Sequence, residues 1–222
     1  MKKKLTIAAV LAILAFPATA QEWSLGVGTG AFVFGDFLER RLTPGTGQGP
    51  GEPTTLTLTA ATRAGVLVDL ERTFSQRWAV RFEGAFTRTP LTVRTEGDEG
   101  EGTRIGAGEM DVATFMVPLV FRINPHGSFR FHLLGGPAAA VYRIGDPDSP
   151  NADPAFDGTQ VEYGIAFGGG VAWWLSDHFA IEAHITDTIT TSPIDNELDD
   201  EPGIEVPRPQ NGHGTLGIRW RF

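Results

Sequence analysis

The last nine residues, "GTLGIRWRF" (214–222), decide how the chain folds. Leu216, Ile218, Trp220 and Phe222 place an apolar side chain at every second position, with small or polar residues between them. Strict alternation with period two predicts a β-strand with one apolar and one polar face. Because the pattern continues to the final Phe, we expect this end of the chain to belong to the sheet and not to fray.

The opening residues have the layout of an export signal. Three lysines precede an apolar run at residues 5–16, and Ala18 and Ala20 supply the small residues of a cleavage site. The run is too short to span a membrane comfortably, so we prefer this interpretation to a membrane anchor. We predict a secretory signal peptide at residues 1–20, export through the Sec pathway and a mature domain at residues 21–222.

The predicted mature part is acidic and contains no cysteine. Lysine occurs only in the predicted signal, so 18 Lys and Arg less three Lys leave 15 Arg against 27 Asp and Glu, a formal charge of −12. Nucleic acid is excluded as a partner because its binding needs a cationic surface. The absence of cysteine excludes disulfides and cysteine-based metal or catalytic sites.

Segment after segment repeats the period-two alternation. We predict eight strands, at residues 23–34, 56–71, 78–89, 109–123, 129–144, 159–175, 179–191 and 213–222. Long connections alternate with tight turns such as "NPHGS" and "SDH", an organisation typical of outer-membrane barrels. The predicted fold class is all-β: an eight-stranded, antiparallel, up-and-down transmembrane β-barrel preceded by a cleaved signal peptide.

Tryptophan and charge are both sorted between the two ends of the predicted barrel. All five Trp lie at strand ends that the tight turns join: Trp23, Trp78, Trp173, Trp174 and Trp220. Trp is enriched at membrane interfaces, so these residues predict an aromatic girdle on the periplasmic side. The four long loops carry 17 acidic residues and five Arg, which places all of the net charge on the predicted outer side.

The alternation assigns one face of each strand to lipid and the other to the lumen. A charge that faces lipid near mid-membrane costs about 2–4 kcal/mol, so the polar face points inward. The predicted inward network comprises Arg63, Arg81, Glu83, Arg122, Arg130, His132, Glu162, Glu182, His184, Arg219 and Arg221. Eight strands enclose a lumen that side chains can fill, and buried charges must pair. We interpret the network as an Arg–Glu plug; the alternative is a narrow or gated small-solute pore through the same groups.

Two prolines conflict with the predicted strands. Pro118 and Pro137 fall inside them, although proline cannot donate to the hydrogen-bond ladder. We expect a bulge or kink at each position.

Three segments carry a resemblance to a known family. They are "FMVPLVFRINPHGSFRFHLLGGPAAAV" (115–141), "VEYGIAFGGGVAWWLSDHFAIEAHI" (161–185) and "GTLGIRWRF" (214–222). They resemble the bacterial outer-membrane β-barrel domain family, whose broader relatives are the small OmpA-like and OmpX-like barrels of the Gram-negative cell envelope.

The resemblance implies a location in the outer membrane and a monomer in contact with outer-membrane lipid and lipopolysaccharide. It also implies biogenesis through periplasmic chaperones and the barrel assembly machinery. The assembly signal would be the terminal alternation of Leu216, Ile218, Trp220 and Phe222.

Catalytic and metal-binding patterns are weak. No spacing ties His213, Thr215 and Ser192 together as a nucleophile and its base, so we predict no enzymatic role and no cofactor. A lipid A-modifying enzyme is the less favoured alternative.

The acidic segment "DNELDDEPGIE" (195–205) has the spacing of a calcium loop at Asp195, Glu197 and Asp199. It lacks the Gly and Glu that complete such a loop, so these residues are candidates for weak divalent-ion binding only. We expect an integral outer-membrane barrel with a role in envelope integrity, or in surface interactions through its long acidic loops.

Overall fold

The computed structural model describes residues 22–42, 54–96, 103–144, 158–191, 204–205 and 210–222. In chain order its strands are β1 (Glu22–Phe34), β2 (Leu38–Leu42), β3 (Thr54–Ala60), β4 (Arg63–Thr73), β5 (Trp78–Glu96), β6 (Thr103–Met116), β7 (Leu119–Arg122), β8 (Phe129–Ile144), β9 (Gly158–Trp174), β10 (Phe179–Thr190), β11 (Ile204–Glu205) and β12 (Gln210–Arg221). Among the described residues, no helix is long and apolar enough to cross a membrane.

The strands close into a ring of eight. β1 pairs with β4 on one side and β12 on the other, and the circuit runs through β5, β6 with β7, β8, β9 and β10 back to β12. β6 and β7 form one interrupted strand, because both pair with β5 and with β8. β2, β3 and β11 extend one end of the wall. The predicted eight-stranded antiparallel barrel is confirmed.

The period-two alternation separates an apolar outside from a polar inside. In β5, Phe82 and Phe86 are exposed, whereas Arg81, Glu83 and Thr87 are buried. β10 and β12 alternate in the same way. An apolar outer wall around a polar interior suits a barrel whose outside faces hydrocarbon.

Tight turns join the strands at one end of the barrel, which we call the turn end; the other is the loop end. Phe74 N donates to Trp78 O at 3.1 Å, and Leu175 N donates to Phe179 O at 2.9 Å. A third turn contains Gly127, whose φ of 93° suits glycine. These are the short connections that the sequence predicts.

The predicted tryptophan girdle requires outward-facing side chains, and four of the five residues have that orientation. The outward positions at the turn end belong to Trp23, Trp78, Trp173 and Trp220. Trp174 follows Trp173 directly and therefore takes the inward face, where Arg130 lies 4.8 Å and Arg221 3.8 Å from its ring centroid. Its assignment to the lipid interface was wrong.

One interruption of the wall accommodates both prolines. β6 ends at Met116 and β7 begins at Leu119, so Pro118 lies in the gap. β8 runs through Pro137 without a break, and Val117 N donates to Pro137 O at 3.0 Å across the gap. The expected irregularity is present at Pro118. The separate irregularity expected at Pro137 is absent, and β8 pairs regularly there. Pro137 has no N–H group to donate, but that side of β8 faces the gap between β6 and β7, where the ladder is already interrupted.

The inward face of β9 carries very little side-chain volume. A Cβ atom at Gly168 would lie 2.2 Å from Ile185 O, and one at Gly170 would lie 2.6 Å from His184 Cβ. The backbones of β9 and β10 therefore approach each other more closely than larger residues allow.

The carboxyl-terminal strand completes the ring, as its pattern predicts. β12 pairs with β1 along its length, and Phe222 N donates to Trp23 O at 2.9 Å. The rings of Trp220 and Phe222 are 5.2 Å apart on the outer wall.

Deletion of Phe222 tests the importance of this closure. We expect a lower yield of folded barrel, because the deletion removes the last hydrogen bond between β12 and β1 and one aromatic ring of the girdle. Heat-dependent gel migration of outer-membrane fractions measures the yield. Phe222→Leu, which keeps the backbone bond, is the control, and normal assembly of the deleted chain would contradict the prediction.

Candidate functional site

Arg81 lies at the centre of the charged lumen. It projects inward from β5 and is 1% exposed. Its Nη2 atom is 2.7 Å from Glu71 Oε2 and 2.9 Å from Glu182 Oε1, while Asp69 and Glu83 lie 3.7 and 3.8 Å from the guanidinium nitrogens. One guanidinium group thus connects carboxylates from β4, β5 and β10 across the barrel.

Arg219 on β12 forms a second bridge at the same level. It donates to Asp69 Oδ1 at 2.8 Å, to Ser24 Oγ at 3.0 Å and to the Glu182 carboxylate. Since Asp69 and Glu182 also lie beside Arg81, the two guanidinium groups share their partners in one network. Charge-assisted bonds of this kind are stronger than neutral ones and fix side-chain positions.

A cationic rim lies below the network at the turn end. Arg122 donates to Glu71 Oε1 at 2.5 Å and to Thr73 Oγ1 at 2.7 Å. Arg221 packs on the Trp174 ring, and its Nε atom lies 3.4 Å from Glu22 Oε2. The lumen is therefore bounded at the turn end by partly exposed guanidinium groups.

A histidine layer lies on the loop-end side of Arg81. His213 Nε2 is 3.3 Å from Glu83 Oε1, and His184 Nε2 is 3.8 Å from the same oxygen. The Thr215 hydroxyl lies 3.1 Å from His184 Nε2, and His132 Nε2 lies 3.5 Å from Glu182 Oε1.

An apolar cap covers the histidine layer on the loop-end side. Its members are buried inward-facing side chains: Phe32, Phe34, Phe37, Leu67, Leu91, Met110 and Tyr142. The ring of Phe37 meets that of Tyr142 edge-on at 5.9 Å, and the Tyr142 hydroxyl bonds Thr190 and Asn211. Polar side chains thus fill the middle of the lumen, and aromatic ones close it above.

Cavities of very different size lie among and around these groups. A cavity of about 10 Å³ lies beside Asp69, Glu182 and His184, which is room for about one water molecule. Two larger hollows lie at the surface: an apolar groove of about 520 Å³ on the outer wall at the β6–β7 break, and a cleft of about 570 Å³ at the loop end. Acidic and threonine side chains, including Asp36 and Glu39, line the cleft.

The structure brings together most of the inward residues that the sequence predicts. The joined set is Arg81, Glu83, Arg122, His132, Glu182, His184 and Arg219. Arg130 and Arg221 belong to the turn-end rim with Trp174. Glu162 accepts a hydrogen bond from Thr191 near the loop end, outside the central network.

Arg63 is a correction to the predicted network. Arg63 has the inward parity of β4, which means that it lies an even number of positions from inward-facing residues of the same strand. Its side chain is nevertheless exposed and lies apart from the central ion pairs. The apolar cap fills the lumen at its level, so the guanidinium group stays in contact with solvent.

Three central residues were missed by the sequence reasoning. Asp69 and Glu71 share the parity that placed Arg63 inside, so the same pattern could have found them. From the sequence, His213 is considered only as a possible catalytic residue, although it lies an even number of positions from Arg219 and so shares the inward face of its strand. The candidates Asp195, Glu197 and Asp199 lie outside the described residues.

Replacement of Arg81 tests the energetic importance of the network. We expect Arg81→Met to lower the free energy of unfolding by about 3–5 kcal/mol, because it leaves buried carboxylates without a partner. Urea unfolding of the folded barrel in lipid vesicles measures the loss. Arg88→Met is the matched control: Arg88 is on the same strand and pairs with Asp111, but its side chain is 62% exposed. Equal losses in both variants would contradict the prediction.

Comparison with known proteins identifies the fold. No protein-family model matches the chain, and no curated protein sequence matches it significantly. The outer membrane protein OprG from Pseudomonas aeruginosa has a similar structure, with a TM-score of 0.60 over 91% of this chain and 96% of that chain at 14% identity. Neisserial surface protein A matches with a TM-score of 0.52 over 91% and 99% at 6% identity. The chain therefore has the fold of the small bacterial outer-membrane β-barrels, and the outer membrane is the location that this fold implies.

Proposed function

We propose that this chain is an integral outer-membrane barrel with a closed lumen, which contributes to envelope integrity and presents acidic loops at the cell surface. One observation carries the proposal: among the described residues, the Arg81 and Arg219 network fills the lumen below and the apolar cap fills it above, and the cavity beside Asp69, Glu182 and His184 measures only about 10 Å³. An eight-stranded barrel has an interior just wide enough for such filling.

The charge network favours a static plug. Opening a path through the lumen would separate Arg81 and Arg219 from their carboxylate partners, whose oxygens now lie 2.7–2.9 Å from the guanidinium nitrogens. Such separation leaves charges unpaired in a poorly hydrated interior, which is costly. The network thus supports the plug over the alternative of a small-solute pore.

The loop end supports the surface role. β2, β3 and the ends of β5 and β6 extend the wall beyond the closed ring, at the end of the barrel where the acidic connections join the described strands. Carboxylates are the ligands that Ca²⁺ and Mg²⁺ prefer. Divalent ions held there would link the loops to the anionic groups of lipopolysaccharide, which is the partner class we propose.

The proposal includes no enzymatic role. His184, His213 and Thr215 are close to one another, but all three are buried under the apolar cap. A lipid substrate at the outer leaflet would have to displace that cap to reach them.

Single-channel recording tests the closed lumen. We expect no channel events from the folded protein in a planar bilayer, in which a general porin serves as the positive control. Arg81→Ala and Arg88→Ala are compared, because only the first alters the lumen. Events in the wild type that Arg81→Ala changes and Arg88→Ala does not would overturn the proposal and make the network a gate.

Calcium titration tests the surface role. We expect Ca²⁺ to raise the thermal stability of the folded protein and its retention on vesicles that contain lipopolysaccharide. The combined variant Asp195→Asn, Glu197→Gln, Asp199→Asn should weaken both effects more than Asp146→Asn, Asp148→Asn, Asp153→Asn, which removes equal charge from another loop. A wild-type protein indifferent to Ca²⁺ would rule out this role for the loops.

A further inference from the structure

Glu83, His184 and His213 converge inside the lumen from three strands, β5, β10 and β12. All three are buried. Glu83 Oε1 lies 3.3 Å from His213 Nε2 and 3.8 Å from His184 Nε2, and one donor atom of each residue lies within 4.8 Å of the other two. Two imidazole nitrogens and one carboxylate oxygen therefore surround one small volume.

We propose that these three side chains bind one divalent transition-metal ion, with zinc as the expected occupant. Zinc takes imidazole nitrogen at about 2.0–2.1 Å and carboxylate oxygen at about 2.0–2.2 Å, so tetrahedral ligands lie about 3.3 Å apart. The Glu83–His213 distance already has this value. A small movement of the His184 ring completes the set.

The charge of the lumen favours a cation at this point. In the lumen, four buried carboxylates face the buried guanidinium groups of Arg81 and Arg219 and the mostly buried one of Arg122, which leaves one negative charge in excess among these groups. Arg72 is also buried, but it packs over the ring of the outward-facing Trp23. Buried charge without a counter-charge is costly. A divalent ion beside Glu83 would supply that counter-charge. The two histidines cannot supply it themselves when they bind a metal, because a metal-binding imidazole is neutral.

Glu83 shows separately that a partner is missing. Its side chain is fully buried, and its Oε2 atom accepts no hydrogen bond from the residues that the structure describes. Arg81 Nη1 lies 3.8 Å away, beyond hydrogen-bond distance. Glu83 Oε1 is 3.3 Å from His213 Nε2, so a metal ion bound through both carboxylate oxygens would also satisfy Oε2, which is otherwise desolvated without a hydrogen bond.

Both imidazole rings are held in position before any ion binds. Phe32 stacks on His213 with 5.1 Å between ring centroids, and the His184 and His213 rings meet edge-on at 5.9 Å. The Thr215 hydroxyl lies beside His184, and Glu182 Oε1 is 3.8 Å from His184 Nδ1. A metal-binding imidazole usually donates its second N–H to a carboxylate, and the Glu182 carboxylate lies on that side of His184, although 3.8 Å is beyond hydrogen-bond distance.

The position of the cluster makes it a structural metal site. The apolar cap closes it on one side, and the Arg81 network closes it on the other. The adjoining cavity of about 10 Å³, lined by His184 and Thr215, has room for about one water molecule, which would serve as the fourth ligand. An ion in so enclosed a site enters while the barrel folds, so metal binding and folding are coupled.

Metal content is the first test. Protein without a polyhistidine tag is purified from outer membranes in chelator-free buffer, and a chelated sample is refolded with Zn²⁺ or Co²⁺ alone. We expect about one ion per folded chain and, with Co²⁺, the intense visible absorption of a low-coordinate site. Protonated histidines would offset the same charge without any metal, so folded barrels that lack metal under both conditions would overturn the proposal.

Two histidine variants locate the ion. We expect His213→Gln to weaken Co²⁺ binding by at least about tenfold, because it removes a ligand. His132→Gln is the matched control: His132 is also buried in the lumen, but it lies outside the three-residue cluster. Unchanged affinity in His213→Gln, or equal loss in both variants, would contradict the assignment.

X-ray absorption of the wild-type zinc protein decides the matter if His213→Gln does not fold. We expect a first shell with two imidazoles and one carboxylate. An oxygen-only shell would place the ion on the acidic loops and overturn the lumen site, while leaving the closed barrel and its surface role intact.

Discussion

Hydrogen-bonded closure of the ring is the constraint on which the rest of the structure depends. A bilayer interior offers no water to unpaired backbone groups, so a sheet can cross it only if it has no free edge. The pairing of β12 with β1 removes that edge. Once the ring is closed, every second side chain faces lipid and the others share a single narrow interior.

The charged interior follows from this division. Charged side chains are costly in contact with lipid, so the carboxylates and guanidinium groups of the spanning strands face the lumen. Because they are buried there, they must pair with one another to offset the cost of desolvation. Arg81 and Arg219 bridge groups on opposite walls and hold the strands at fixed separations. In the function we propose, the same shortage of space that forces these groups to pair also keeps the lumen closed to solutes.

Local pattern was sufficient to predict the fold and most inward positions, but not how side chains from distant strands meet. Strict alternation determined the number of strands, their faces and the terminal strand. Parity alone could also have excluded Trp174 from the girdle, because adjacent residues of a strand face opposite sides. The burial of His213 could not be foreseen, since it depends on Phe32 and the cap above it. Likewise, the regular course of β8 at Pro137 depends on the gap in its neighbour, which only the strand register reveals.

The glycine-rich inner face of β9 has a consequence for how this barrel can vary. A Cβ atom at Gly168 or Gly170 would meet β10, at Ile185 O and at His184 Cβ, so these glycines set the close spacing of the two neighbouring strands. A larger residue at either position would push β10 away from β9. Because the wall is a closed ring, that displacement would be passed on to β12 and the other strands, so these two positions can change only together with the packing of the adjoining strand.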